Sequence, residues 1–157
     1  MNILTRELLR QDRPLFEFVL RDAPYLMNNW YWPEPPEVAP FCFLAFGEFL
    51  MDEVYYLFKI NGDFDPYDLT NFQTKSELTG LIGNIEREIE GIRSQNQEKF
   101  LARFGFSLKS LTSMASTEEL AEYWEVLRSD LIEILSLIGQ QAQIALRDGK
   151  TVAIVGI

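Results

Sequence analysis

One long amphipathic stripe limits the folds open to this chain more than any other feature of its sequence. Its apolar residues recur at alternating steps of four and three, which is the spacing of a helix with a buried face. Ser116, three residues before Glu119, predicts a capping box at the start, and Gly149 predicts the end. Leu131 and Ile134 should be buried where the helix is apolar on nearly every side. The stripe consists of Leu120, Trp124, Leu127, Leu131, Ile134, Ile138, Ala142 and Ala145.

A second stripe follows another capping box, formed by Thr74 and Glu77. It predicts a helix from about residue 76 that either runs on to 104, where Gly105 would end it, or breaks near 94–96. A third helix is predicted over residues 40–60, because apolar residues recur there at helical spacing and Asn61-Gly62 follows. The apolar residues of the second stripe are Leu78, Leu81, Ile82, Ile85, Ile89 and Ile92.

The two ends of the chain are less regular. A short helix is predicted over 5–10, and 15–21 reads equally well as helix or strand. The β-branched tail 151–157 predicts a strand, which needs a pairing partner. The alternatives are residues 16–20, residues 106–111, or the same tail of a second subunit in a homodimer. The expected fold is mainly α: one domain over residues 1–157, a bundle of four to six helices with a minor β element at the C-terminal tail.

The sequence contains no histidine and one cysteine, Cys42. The missing imidazole removes Ser-His and Cys-His nucleophiles and the usual zinc sites. Cys42 stands between Phe41 and Phe43, which is typical of an inert core thiol. We therefore expect no catalytic residue, no metal site and no cofactor, and a protein that is not an enzyme.

Two acidic groups on helices offer the alternative of metal chemistry. Glu118, Glu119 and Glu122 form an EExxE pattern, which resembles the magnesium-binding pattern of all-α nucleotide pyrophosphohydrolases. That family also uses an ExxD pattern on a following helix, and this is missing, so a solvated helix face is favoured. Glu86 and Glu90 would need Glu48 and Asp52 opposite them to hold a metal, and an exposed face is again favoured. A magnesium-dependent hydrolase using helix carboxylates remains the enzymatic alternative.

The formal net charge is −10, from 24 acidic and 14 basic residues. Such a surface disfavours nucleic acid and attracts a basic protein. Arg6, Arg10 and Asp12 interrupt any signal-peptide core, and the densest apolar stretch is too short to span a bilayer. The expected location is cytoplasmic, with no membrane contact.

The segment around Trp30, Tyr31 and Trp32 is the strongest candidate for an interaction surface. Four prolines at 33, 35, 36 and 40 stiffen it, and no Lys or Arg occurs between Arg21 and Lys59. The rings could instead complete the core. As a docking face, they would act with the acids Glu34, Glu37, Glu48 and Asp52 on a basic partner. The expected function is an acidic protein-binding and inhibitory module, such as an immunity protein or antitoxin that neutralises a basic toxin. A small assembly or regulatory subunit is the further alternative.

Overall fold

The computed structural model describes residues 1–24, 42–60, 62, 64–65, 67–114 and 116–156. Five of the predicted binding residues lie outside these ranges: Trp30, Tyr31, Trp32, Glu34 and Glu37. Along the described part of the chain, no helix combines the length and the apolarity needed to cross a membrane.

Within the described ranges, the fold combines α-helices with one four-stranded sheet. The elements run α1 (Arg6–Leu9), β1 (Leu15–Arg21), β2 (Cys42–Gly47), α2 (Glu48–Val54), a 3-10 helix (Tyr55–Phe58), β3 (Thr70–Phe72), α3 (Lys75–Ser94), α4 (Gln97–Thr112), α5 (Thr117–Asp148) and β4 (Thr151–Gly156). The strands form one sheet in the order β2-β1-β4-β3, with every neighbouring pair antiparallel. The predicted helical bundle with a minor tail strand is therefore wrong, and the fold is mixed α/β.

Residues 42–47 account for much of this difference, because the sequence predicts them at the start of a helix over 40–60. They form β2, and Phe46 and Leu44 stand opposite Phe16 and Phe18 of β1. A short apolar run cannot be assigned to helix or strand by periodicity alone, and the pairing with β1 decides it. The helix begins only at Glu48.

The central strands are buried on both faces. Phe16 and Phe18 of β1 belong to the main hydrophobic core, as do Val152 and Ile154 of β4. Glu17 and Val19 point to the opposite face, yet their exposed fractions are only 1% and 0%. Because both faces are covered, β1 shows no alternation of apolar and polar residues, which explains why its sequence was ambiguous.

The tail strand β4 pairs with β1 on one side and with β3 on the other. Its pairing with β1 joins residues 16–21 to 151–156, which is one of the three expected alternatives. The backbone groups of β4 therefore find their partners within the chain.

Helix α5 packs against α3, α4 and the two central strands. Leu131 and Ile134 are 0% and 1% exposed, which confirms their predicted burial. The helix that carries the second stripe, α3, ends at Ser94, so the chain breaks near 94–96 and the helix does not run on to 104. Asn96 caps the start of α4, because its Oδ1 accepts a hydrogen bond from the Lys99 amide at 3.0 Å. Gly105 lies within α4 and does not end it.

Candidate interaction surface

The surface is built around the start of α2, where the N-cap residue is Gly47 and has no side chain to cap the helix. Asp12 does this instead, because its Oδ2 accepts a hydrogen bond from the Phe49 amide at 2.8 Å. A Cβ on Gly47 would lie 2.3 Å from the Cβ of Asp12, so the carboxylate reaches the helix only because residue 47 is glycine. Sequence reasoning missed Asp12 as a site residue, since nothing local links residue 12 to residue 49.

Glu48 and Asp52 lie one turn apart on α2, as the sequence predicted. The hydroxyl of Tyr67 donates a hydrogen bond to Oε1 of Glu48. That bond, together with desolvation and the charges of Glu48, Asp52 and Asp65, raises the pKa of Tyr67 to about 12. The phenol therefore stays protonated next to three carboxylates.

Asp52 has two negatively charged neighbours, Glu48 and Asp12. Desolvation raises the pKa of its carboxyl group, and the negative charges of Glu48 and Asp12 raise it further. The side chain is nevertheless exposed. Its environment disfavours the ionised form, and an incoming cation would relieve this.

Asp52, Asp65 and Asp68 line an open cleft of about 760 Å³. Tyr55 and Lys59 also line it, and the Lys59 ammonium lies 4.8 Å from the centre of the Tyr55 ring. We call the five carboxylates around this region the acidic face: Asp12, Glu48, Asp52, Asp65 and Asp68. No Lys or Arg in the described ranges forms an ion pair with any of them.

The other acidic groups are arranged differently. Glu118, Glu119 and Glu122 are exposed on the first turns of α5, where Ser116 Oγ accepts a hydrogen bond from the Glu119 amide at 3.1 Å. Glu86 and Glu90 are exposed on α3, which packs against α5 and the 3-10 helix. Among the residues that the structure describes, no three acidic, cysteine or histidine side chains gather into a group that could hold a metal ion.

One ion pair holds the 3-10 helix beside the cleft. Arg103 on α4 lies 2.7 Å from Oε1 of Glu88 on α3 and also donates a hydrogen bond to the Tyr56 hydroxyl. Desolvation and the hydrogen bond to Glu88 raise the pKa of Tyr56. Arg103 and Glu88 thus neutralise each other within the fold, whereas no carboxylate of the acidic face has a described Lys or Arg as an ion-pair partner.

Cys42 carries no reactive thiolate. Desolvation first, and then the charge of Glu17, raise the pKa of its thiol to about 11. The Sγ atom donates to the Leu44 carbonyl at 2.9 Å. A thiol of this kind is almost fully protonated at neutral pH.

The acidic face can accept hydrogen bonds from cationic groups and can attract a positively charged surface over several ångströms. No protein-family model matches this chain, and neither a curated protein nor a solved structure matches it.

Proposed function

We propose that this protein is an acidic protein-binding module that docks a basic protein, as an inhibitor of the immunity-protein or antitoxin kind does. The observation that carries the proposal is the acidic face: three of its five carboxylates line the cleft together with Lys59, and none of the five forms an ion pair with a Lys or Arg of the described ranges. Concentrated charge of one sign steers an oppositely charged partner and selects against acidic ones.

Aromatic side chains add contact area to this surface. Tyr55, which lines the cleft, is 38% exposed, and Tyr67, which donates a hydrogen bond to Glu48, is 54% exposed. Tyrosine rings are enriched among residues that contribute most to binding, because they bury a large area and lose little conformational entropy. The contribution of Trp30, Tyr31 and Trp32 to the same face stays a prediction.

The raised pKa of Asp52 also supports a binding role. A carboxylate placed among like charges slightly destabilises the free protein, and a partner's Lys or Arg would convert this repulsion into attraction. Residues of this kind weaken the fold and strengthen the complex, which is the pattern expected of an interaction surface.

The test is affinity capture from an extract of the source cells at about 0.15 M salt, near physiological ionic strength. Three baits are compared: the wild type, Asp52→Lys, and the control Glu122→Lys on α5. We expect a basic protein to bind the wild type and the control, and to be lost with Asp52→Lys. The captured protein is then purified and its Kd measured by calorimetry. A rise of about tenfold or more with Asp52→Lys is expected, and equal affinity for all three baits would refute the proposal.

A further inference from the structure

Beside the acidic face lies a strip of surface with an aromatic pair at its centre, in which the ring of Phe106 is exposed and that of Phe49 is half-buried. Phe106 on α4 is 77% exposed, more than any other large hydrophobic side chain in the described ranges. Its ring meets Phe49 of α2 edge to face, with the ring centroids 6.4 Å apart. Removing such a ring from water on binding another molecule is favourable.

The two helices carry opposite charges on either side of this pair. Lys99 and Lys109 are exposed on α4, seven residues before and three residues after Phe106, so all three share one side of the helix. Neither lysine forms an ion pair with a described carboxylate. On the other side, Glu48 and Asp52 lie along α2.

The two helices hold this pattern in place because they are directly linked. Ser107 Oγ on α4 donates a hydrogen bond to Glu53 Oε1 on α2 at 2.6 Å, next to the aromatic pair. The strip is therefore two helices wide, with acids along α2, bases along α4 and the aromatic pair between the two helices. A basic partner would match only the acidic side of it.

We propose that a second copy of this chain covers the strip. A two-fold axis between Phe49 and Phe106 would lay α4 of each copy across α2 of the other. Lys99 and Lys109 of one copy would then face Glu48 and Asp52 of the other, twice by symmetry. A two-fold interface requires a patch that complements itself, and a strip with acids on one side and bases on the other does so.

The net charge of −10 on each copy opposes association. This repulsion acts over long distances, whereas the attraction between the lysines and the carboxylates acts between groups in contact. At about 0.15 M salt the Debye length is about 8 Å, so repulsion between distant charges is largely screened, whereas pairs in contact are screened much less. The dimer rests on observations other than those that support the proposed function, so either can hold without the other. Both involve Asp52, so the dimer and a basic partner would compete for the same carboxylate.

Sedimentation equilibrium of the full chain at about 0.15 M salt tests the dimer. We expect a reversible dimer whose Kd rises about tenfold or more with Phe106→Ser, because the central ring is lost. Tyr123→Ser is the matched control, since Tyr123 is an exposed aromatic residue on α5, 40% exposed. A monomeric wild type, or a dimer that Phe106→Ser leaves unchanged, overturns the proposal.

A charge exchange tests the arrangement. Asp52→Lys and Lys109→Glu should each weaken the dimer, and the double variant should restore most of the wild-type affinity. Failure of the double variant to recover overturns the proposed arrangement, provided that circular dichroism shows equal helicity in all variants. Phe106→Ser and Lys109→Glu should leave capture of a basic partner intact. Loss of the dimer proposal therefore leaves the proposed function standing, and a failure to capture a basic partner leaves the dimer proposal standing.

Discussion

Asp130 and Asp52 carry the same carboxylate group in opposite environments: hydrogen-bond donors surround the first, and negative charges surround the second. Asp130 on α5 is 1% exposed, and its oxygens accept hydrogen bonds from the amides of Asn2, Ile3 and Leu4 at 2.7, 2.6 and 2.8 Å. Asp52 is exposed and has Glu48 and Asp12 as its charged neighbours. The difference shows that donors, and not burial alone, decide whether a carboxylate stabilises the fold.

The buried aspartate also explains how the first residues attach to the helices. Leu4 and Leu9 are 0% exposed, and the three amides that precede α1 converge on Asp130. Backbone amides that are removed from water must find acceptors. A single carboxylate meets this need for three of them, which no apolar residue at position 130 would do.

The largest expected effect is that of Asp130→Ala. The substitution leaves three amides without their acceptor, so the free energy of unfolding should fall by about 3 kcal/mol or more. Urea denaturation measures it. Glu133→Ala, one turn later with a side chain that is 57% exposed, is the control and should cost less than about 1 kcal/mol. A loss below about 1 kcal/mol for Asp130→Ala would remove the contrast with Asp52.

Gly47→Ala should have an intermediate effect and tests the one acidic-face residue that also supports a helix. The new Cβ would displace Asp12 and break its hydrogen bond to the Phe49 amide, at a cost of about 1–3 kcal/mol. Gly83→Ala is the control, because a Cβ there meets nothing within 4 Å. In the middle of α3 this second change should stabilise the protein by up to about 1 kcal/mol. Equal effects in urea denaturation would show that Asp12 is not held as described.

Asp52→Asn should have the smallest effect, and of opposite sign to Asp130→Ala. Because the folded-state pKa of Asp52 is raised, the folded protein binds more protons, and the free energy of unfolding falls as pH rises through the titration of this carboxyl. The asparagine variant lacks this decrease, so at neutral pH it should be more stable, by no more than about 0.5 kcal/mol after solvent screening.

Glu118→Gln is the control for Asp52→Asn, because the pKa of Glu118 is shifted in the opposite direction. Hydrogen bonds from its own backbone amide and from Ser116 lower the pKa of Glu118, with a further contribution from the charge of Lys109. Its stabilising contribution is present above the unfolded-state pKa and is lost as pH falls through the folded-state pKa. Urea denaturation over a pH series should therefore separate the two variants, and slopes of the same sign would contradict the assignment of Asp52.

Local patterns predicted the start of α3 and both ends of α5. The capping box of Thr74 and Glu77 begins α3, where the Glu77 amide donates to Thr74 Oγ1 at 3.2 Å. Gly149 ends α5 in the left-handed conformation, with φ of 66°. These features depend on residues three or four apart, so they can be read without knowing the rest of the fold.

The acidic face was predictable only in part. Glu48 and Asp52 stood out because no positive charge lies near them in the sequence. Asp12, Asp65 and Tyr67 join them through contacts between distant segments. Nothing local marks these three residues as neighbours, and the wrong helix over 40–60 hid the turn at Gly47 that brings Asp12 to α2.

The sequence by itself thus determined the start of α3, both ends of α5, the buried stripes of these two helices and the strand character of the tail. It left open whether the chain breaks after α3, and it placed a helix end at Gly105, which lies inside α4. Only the tertiary structure decided that residues 15–21 and 42–47 are strands, because each gains its backbone hydrogen bonds from a partner distant in sequence. It also decided which carboxylates are satisfied. Asp130 and Asp52 look alike in the sequence, and they differ because the amides of the first residues reach one of them while other carboxylates surround the other.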